Sequence, residues 1–70
     1  MNLNKPEIIN NNIETYHIVY SFDNTFIELK GVNVWGKSME ECLSIFRSNI
    51  KNANILYILN KTQQYDNNSI

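Results

Sequence analysis

The sequence has few of the residues that stabilise small folds covalently or through metals. Its 70 residues include one cysteine, Cys42, and one histidine, His17. An internal disulfide is therefore excluded, as is a zinc site built from four Cys and His ligands. Two glycines and one proline provide no glycine-rich phosphate loop, and no cluster of acidic residues suggests a metal site. We expect neither a metal nor a cofactor.

The charge is also low and balanced. Six Lys and Arg stand against seven Asp and Glu, giving a formal net charge of -1. Binding to nucleic acid by counterion release needs a basic surplus on one face, and the sequence provides none. No apolar run approaches the roughly 20 residues of a membrane span, and the first residues lack the apolar core of a signal peptide. We therefore expect a cytoplasmic protein.

The chain divides into one domain between two polar ends. Residues 1–12 lack periodicity and predict a flexible N-terminal arm, and residues 63–70 predict a disordered tail. A single domain over residues 13–62 remains. So short a chain buries only roughly 60% of the surface that its unfolded form exposes. Because no disulfide or metal supports it, we expect this unit to associate with another surface.

The first half of the domain has the pattern of two strands. Residues 13–22 alternate between two faces and are rich in β-branched and aromatic side chains, which predicts a strand. Asp23 and Asn24 favour a tight turn into a second strand over residues 25–35. The alternation slips at Lys30 and Gly31. We favour one bent strand with a bulge there, and the alternative is that a short third strand begins at Val32.

The second half predicts a helix and a last strand. Ser38 followed by Glu41 forms a capping box, and apolar residues recur at helical spacing over residues 39–51, with Asn52 as the C-terminal cap. Residues 53–60 are almost continuously apolar. That pattern is typical of a strand that lies inside a sheet or has both faces covered. The order predicts an α+β fold: a three-stranded antiparallel sheet (β-β-α-β) with one helix packed on one face.

The other sheet face provides the candidate binding residues. We expect Trp35, Tyr57 and Val19 to contact a protein partner, with His17 at the rim, because Trp is favoured in interfaces and this face lacks a cover. Cys42 fits a small apolar residue of the buried helix stripe better than a nucleophile. No Ser, His and Asp set with a supporting motif is present. We therefore expect no catalytic residues and no enzymatic activity.

From Tyr16 to Lys61 the pattern strand, turn, strand, S-x-E-E helix, strand resembles a class of small accessory proteins common in low-GC bacteria and their phages. The chain is also similar to antitoxins with a partial ribonuclease-H-like sheet, although no DNA-binding segment follows the last strand. The resemblance covers about two-thirds of the chain and carries no functional residue over. It implies an accessory protein of a mobile element that acts by binding another macromolecule.

These observations lead to two hypotheses. The first is a non-enzymatic protein-binding module that forms a homo-oligomer, such as a homodimer, and acts as a phage- or plasmid-encoded inhibitor of a host or defence protein. The alternative is a small nucleic-acid-binding protein that stacks bases on sheet aromatics. Its phosphate contacts would come from the scattered basic residues Lys30, Lys37, Arg47, Lys51 and Lys61.

Overall fold

The computed structural model describes residues 1–8 and 12–62. Within them the chain forms four strands and one helix, in the order β1 (Asn2–Leu3), β2 (Glu14–Ser21), β3 (Lys30–Gly36), α1 (Met39–Asn49) and β4 (Asn54–Asn60). The tail expected at 63–70 lies outside the described residues. The α+β class is confirmed.

The strands form one mixed sheet in the order β1-β3-β2-β4. The central strand β2 is antiparallel to both of its neighbours, while β1 is parallel to β3. The prediction of a three-stranded, wholly antiparallel sheet is thus wrong in the number of strands and in the direction of one pairing. The additional strand comes from the segment expected to be an arm.

Strand β1 covers the outer edge of β3. The Asn33 amide donates to the Met1 carbonyl at 3.0 Å, and Asn4, in the left-handed region at φ 63°, ends the strand. The Asn4 side chain then donates to the Trp35 carbonyl at 2.9 Å. These bonds satisfy backbone groups of β3 that a three-stranded sheet would leave open.

The main core lies on the face of the sheet formed by the even-numbered residues of β2 and β3. Side chains of one face recur every second residue, and these are joined by residues from α1 and from the segment after it. The Tyr20 and Phe46 rings meet edge to face with centroids 5.2 Å apart. The buried cluster comprises Tyr16, Ile18, Tyr20, Val32, Val34, Cys42, Phe46, Ile50 and Ala53.

The connection between β2 and β3 is longer than the predicted tight turn. The Asp23 carboxylate accepts hydrogen bonds from the Thr25 and Phe26 amides, both at 2.9 Å, and Phe26 has a φ of 55°. These contacts form a compact turn instead of continuing the ladder. Pairing resumes with Tyr20 opposite Lys30. The expected strand over 25–35 therefore begins only at Lys30, and neither a bulge nor a split at Lys30–Gly31 explains the slip in alternation.

The helix begins where its capping box predicts. The Ser38 hydroxyl accepts the Glu41 amide at 3.1 Å, and the Glu41 carboxylate accepts the Lys37 amide at 3.2 Å. The helix ends at Asn49, two residues earlier than predicted, and Asn52 adopts the left-handed conformation at φ 61°. In the described part of the chain, no helix has the length and apolar character needed to cross a membrane.

Candidate functional site: the edge of strand β4

Strand β4 lies at one end of the sheet and pairs only with β2 among the described residues. This placement differs from the expectation for its almost continuous apolar sequence, which favoured a strand inside a sheet or covered on both faces. An edge strand presents a row of backbone donors and acceptors that another strand can pair with. The open edge of β4 is therefore the first candidate for a binding site.

The backbone register identifies which groups of β4 point outward. The Lys61 amide donates to the Thr15 carbonyl at 2.8 Å, so this pair bonds directly. Residues alternate between bonding toward one neighbour and toward the other. Leu59, opposite His17, therefore bonds toward β2, while the N–H and C=O groups of Ile58 and Asn60 point away from the sheet.

Half-exposed apolar side chains surround this row of backbone groups. Leu56, Tyr57 and Leu59 have 44%, 46% and 45% of their surfaces exposed. Ile58 packs partly against the core on the opposite face. No residue from Asn54 to Asn60 is charged. Natural edge strands are commonly protected by charges or prolines, and β4 has neither.

One irregularity interrupts the strand near its beginning. Val19 pairs with Tyr57, but Tyr20 pairs with Ile55, so Leu56 is the extra residue of a β-bulge. Bulges bend and twist an edge and make pairing with another strand harder. Because the pairing from Tyr57 to Asn60 is regular, the usable part of the edge is the second half of β4.

The loop over residues 22–29 lies beside the beginning of β4. The Asn54 side-chain amide donates to the Asp23 carbonyl at 3.1 Å and to the Asn24 side-chain oxygen at 3.2 Å. Hydrogen bonds from Thr25 lower the pKa of the Asp23 carboxyl below its ordinary value, which keeps it ionised. The loop also exposes three large apolar side chains, Phe22, Ile27 and Leu29.

The four residues expected to contact a partner have different environments. Tyr57 is half-exposed at the edge, as described above. Trp35 and Val19 are buried, with 1% and 7% of their surfaces exposed. The Trp35 ring lies near the N-terminal segment, where the Lys5 ammonium is 5.8 Å from its centroid. His17 is half-buried. Only Tyr57 of these four therefore presents a large exposed apolar surface.

His17 belongs to a chain of polar side chains on the sheet face opposite the main core. Its Nδ1 lies 2.7 Å from the Asn33 side-chain oxygen, and the Asn33 side-chain amide donates to the Asn2 side-chain oxygen at 3.1 Å. With the Asn33 amide oriented this way, its oxygen accepts, and the hydrogen bond requires the tautomer with the proton on Nδ1. The imidazole also lies over Gly31, where an added Cβ would be 2.9 Å from Cε1 and Nε2. His17 thus connects β2 to β3, and Asn33 continues the connection to β1.

This geometry predicts that Gly31→Ala destabilises the protein through His17. The new methyl group would displace the ring and break its hydrogen bond to Asn33, at a cost of about 1–2 kcal/mol in the free energy of unfolding. Urea denaturation of the two single variants and of Gly31→Ala with His17→Ala would measure the coupling. Strictly additive effects would contradict the steric explanation.

Cys42 is a buried thiol whose pKa is raised. Its Sγ lies 3.7 Å from the Val34 carbonyl, and burial, helped by the charges of Glu14 and Glu41, raises the thiol pKa to about 11. The thiol stays protonated at neutral pH, and His17 lies on the opposite face of the sheet. In the described segments no three His, Cys, Asp or Glu residues are grouped to hold a metal ion.

The raised pKa values predict a loss of stability in alkali. The Tyr16 hydroxyl donates to Glu14 at 2.7 Å, and this bond, with burial, raises the Tyr16 pKa from 10.0 to about 12. Cys42 rises from 9.0 to about 11. Above pH 9 the unfolded chain therefore releases these protons first, and stability falls as the pH increases toward 12. Thermal unfolding from pH 7 to pH 11 should show the fall, with a smaller slope in Tyr16→Phe and Cys42→Ala; an unchanged slope in both variants would contradict the assignment.

The structure separates the residues on which nucleic-acid binding would depend. The rings of Tyr16, Tyr20, Trp35 and Phe46 are buried and cannot stack on bases. Among the described residues, the aromatic side chains with about half of their surface exposed are Phe22 and Tyr57. The basic residues named for phosphate contacts are spread over β3, the segment before α1, α1 itself and the segments that flank β4. They are Lys30, Lys37, Arg47, Lys51 and Lys61.

The sequence pattern did not identify Leu56, Leu59 or the outward backbone of Ile58 and Asn60 as parts of a site. The uncharged apolar run was the available signal, but it fits an interior strand equally well. The order of strands decides between the two, and it depends on contacts distant in sequence. In comparisons with protein families, curated proteins and solved structures, no match to the chain was found.

Proposed function

We propose that the chain is a non-enzymatic protein-binding module that binds by adding a strand to the open edge of β4. The observation that carries this proposal is the combination of seven uncharged strand residues with an edge unpaired within the described chain. A partner strand would satisfy the outward backbone groups of Ile58 and Asn60. Its side chains would cover the exposed surfaces of Tyr57 and Leu59.

Both the backbone and the side chains of β4 favour the addition of a strand. Backbone hydrogen bonds between strands provide affinity, while side-chain contacts on either face provide specificity. Covering half-exposed apolar side chains contributes about 25 cal/mol for each Å² removed from water. The absence of charge means that no ion has to be desolvated. An inhibitor of a host or defence protein, the role named in the first hypothesis, would act through this surface.

The positions of Cys42 and His17 do not favour thiol catalysis. The Cys42 thiol is buried with a raised pKa, and the His17 Nδ1 is occupied by Asn33. A cysteine nucleophile needs a thiolate and a nearby base, and this pair lies on opposite sheet faces.

Photo-crosslinking tests the proposed surface directly. A benzophenone amino acid at Tyr57 should form crosslinks to a polypeptide, either another protein or a second copy, when irradiated in cells. The matched control is the same amino acid at Met39, which has a similar exposed fraction, 42%, but lies on α1. Equal crosslinking at both positions, or none at Tyr57, would contradict the proposal.

A proline variant separates the backbone contribution. Asn60→Pro removes an N–H that points away from β2, so binding should weaken about tenfold while the sheet keeps its internal bonds. Asn60→Ala is the control, because it removes the side-chain oxygen that accepts the Thr62 amide but retains the backbone N–H. Yields of the Tyr57 crosslink, with circular dichroism to verify folding, give the comparison. Equal loss in both variants would exclude backbone pairing at Asn60.

A further inference from the structure

We propose that the strand added to β4 is β4 of a second copy of the chain, antiparallel to the first and related to it by a two-fold axis at Ile58. This inference rests on the proposed function of the β4 edge and names its partner. The two sheets would become one continuous sheet across the axis. A two-fold contact uses the same patch on both copies, so the patch must be complementary to itself.

The outward backbone groups define the register. The backbone N–H and C=O groups of Ile58 point away from β2. They can therefore form a directly hydrogen-bonded pair with the same groups of Ile58 in the other copy. The antiparallel order then places Asn60 opposite Leu56, the bulge residue at which the regular pairing ends. Tyr57 falls opposite Leu59, and this pair occurs twice because of the symmetry.

The side chains fit this register. Tyr57 and Leu59 lie on one face and expose nearly equal fractions, 46% and 45%. They would meet in pairs without direct backbone hydrogen bonds, where the strands approach most closely and cross-strand contacts between aromatic and aliphatic side chains are strongest. Each copy therefore provides one aromatic and one aliphatic side chain and receives the same from its partner.

The charges favour the antiparallel direction. No charge lies within β4, so no like charges oppose each other in the paired region. Lys61 follows the strand at one end. Residues of both charges lie near the other end of the strand. Asp23 is held there by the Asn54 side chain, which donates to its carbonyl, and Arg47 donates to the Ala53 carbonyl at 3.1 Å. Antiparallel pairing brings Lys61 near this mixed end, whereas parallel pairing would place it opposite the Lys61 of the other copy.

Sedimentation of the unmodified chain is the first test. We expect a dimer that dissociates on dilution through the micromolar range. Leu59→Lys should raise the dissociation constant about tenfold or more, since it places an unpaired charge in the contact, and Met39→Lys should leave it unchanged. A monomer throughout the range, or equal effects of the two substitutions, would overturn the proposal.

Disulfide formation tests the register in a Cys42→Ala background. Mixing the variants Tyr57→Cys and Leu59→Cys should yield a mixed disulfide in preference to either symmetric one, because only the 57–59 pair lies directly opposite. Preferential self-crosslinking of either variant would overturn the register at Ile58. If the chain is a monomer but the Tyr57 crosslinker captures a different protein, the proposed function stands and the second copy is excluded as the occupant.

Discussion

Replacing Phe46 by alanine should lower the free energy of unfolding by about 3–5 kcal/mol, the range for truncating a large buried aromatic. The side chain has no exposed surface and stacks edge to face on Tyr20, which joins α1 to β2. A domain of this size has few other contacts to compensate. Because total stabilities are usually about 5–15 kcal/mol, the variant should be largely unfolded under mild denaturing conditions.

Urea denaturation provides the measurement. Trp35 is the only tryptophan in the chain, so its fluorescence reports the tertiary structure while circular dichroism follows the helix and sheet. Met39→Ala is the control on the same helix, since this side chain is 42% exposed and should cost less than about 1 kcal/mol. A loss below about 1 kcal/mol for Phe46→Ala would show that the ring does not join the helix to the sheet.

The helix was predictable because its signals are local. Ser38 and Glu41 stand three residues apart and make the contacts that the capping box requires. The apolar spacing that follows selects one helix face within a few turns. The C-terminal end of the helix was predicted two residues too late, since Ile50 is the cap and Asn52 adopts the left-handed conformation beyond it.

The strands depend more on distant partners. The alternation of residues 13–22 predicted β2 well, but the same kind of alternation after Asp23 produced no strand. There, the Asp23 side chain binds the backbone locally, and β2 ends at Ser21. Strand β1 has only two residues, too few to show periodicity, and it exists because the edge of β3 is available.

The candidate site was only partly predictable for the same reason. Tyr57 was expected to contact a partner because it lies in an apolar run, and its exposure agrees with that role without testing it. Trp35 was expected at the surface since it ends a strand and has no local cover. The N-terminal segment, more than thirty residues away along the chain, approaches it instead.

Trp35→Ala should therefore act on stability, with a loss of about 3–5 kcal/mol in the free energy of unfolding. The side chain is 1% exposed, on the sheet face opposite Phe46. Its removal would also weaken the attachment of the N-terminal segment, because the Lys5 ammonium lies 5.8 Å from the ring centroid. Hydrogen exchange at Leu3 should then accelerate, since β3 is the strand that β1 pairs with in the described part of the chain.

Two further variants distinguish a packing role from a contact role. Lys5→Ala removes only the cation over the ring and should cost about 0.5–1 kcal/mol. Trp35→Phe keeps an aromatic ring and should retain most of the stability and the slow exchange at Leu3. If Trp35 were mainly a partner contact, Trp35→Ala would weaken association, measured by sedimentation, while the denaturation midpoint stayed that of the unmodified chain. We expect the opposite result. Trp35→Ala should shift the denaturation midpoint strongly, and Trp35→Phe should retain the association that Leu59→Lys weakens.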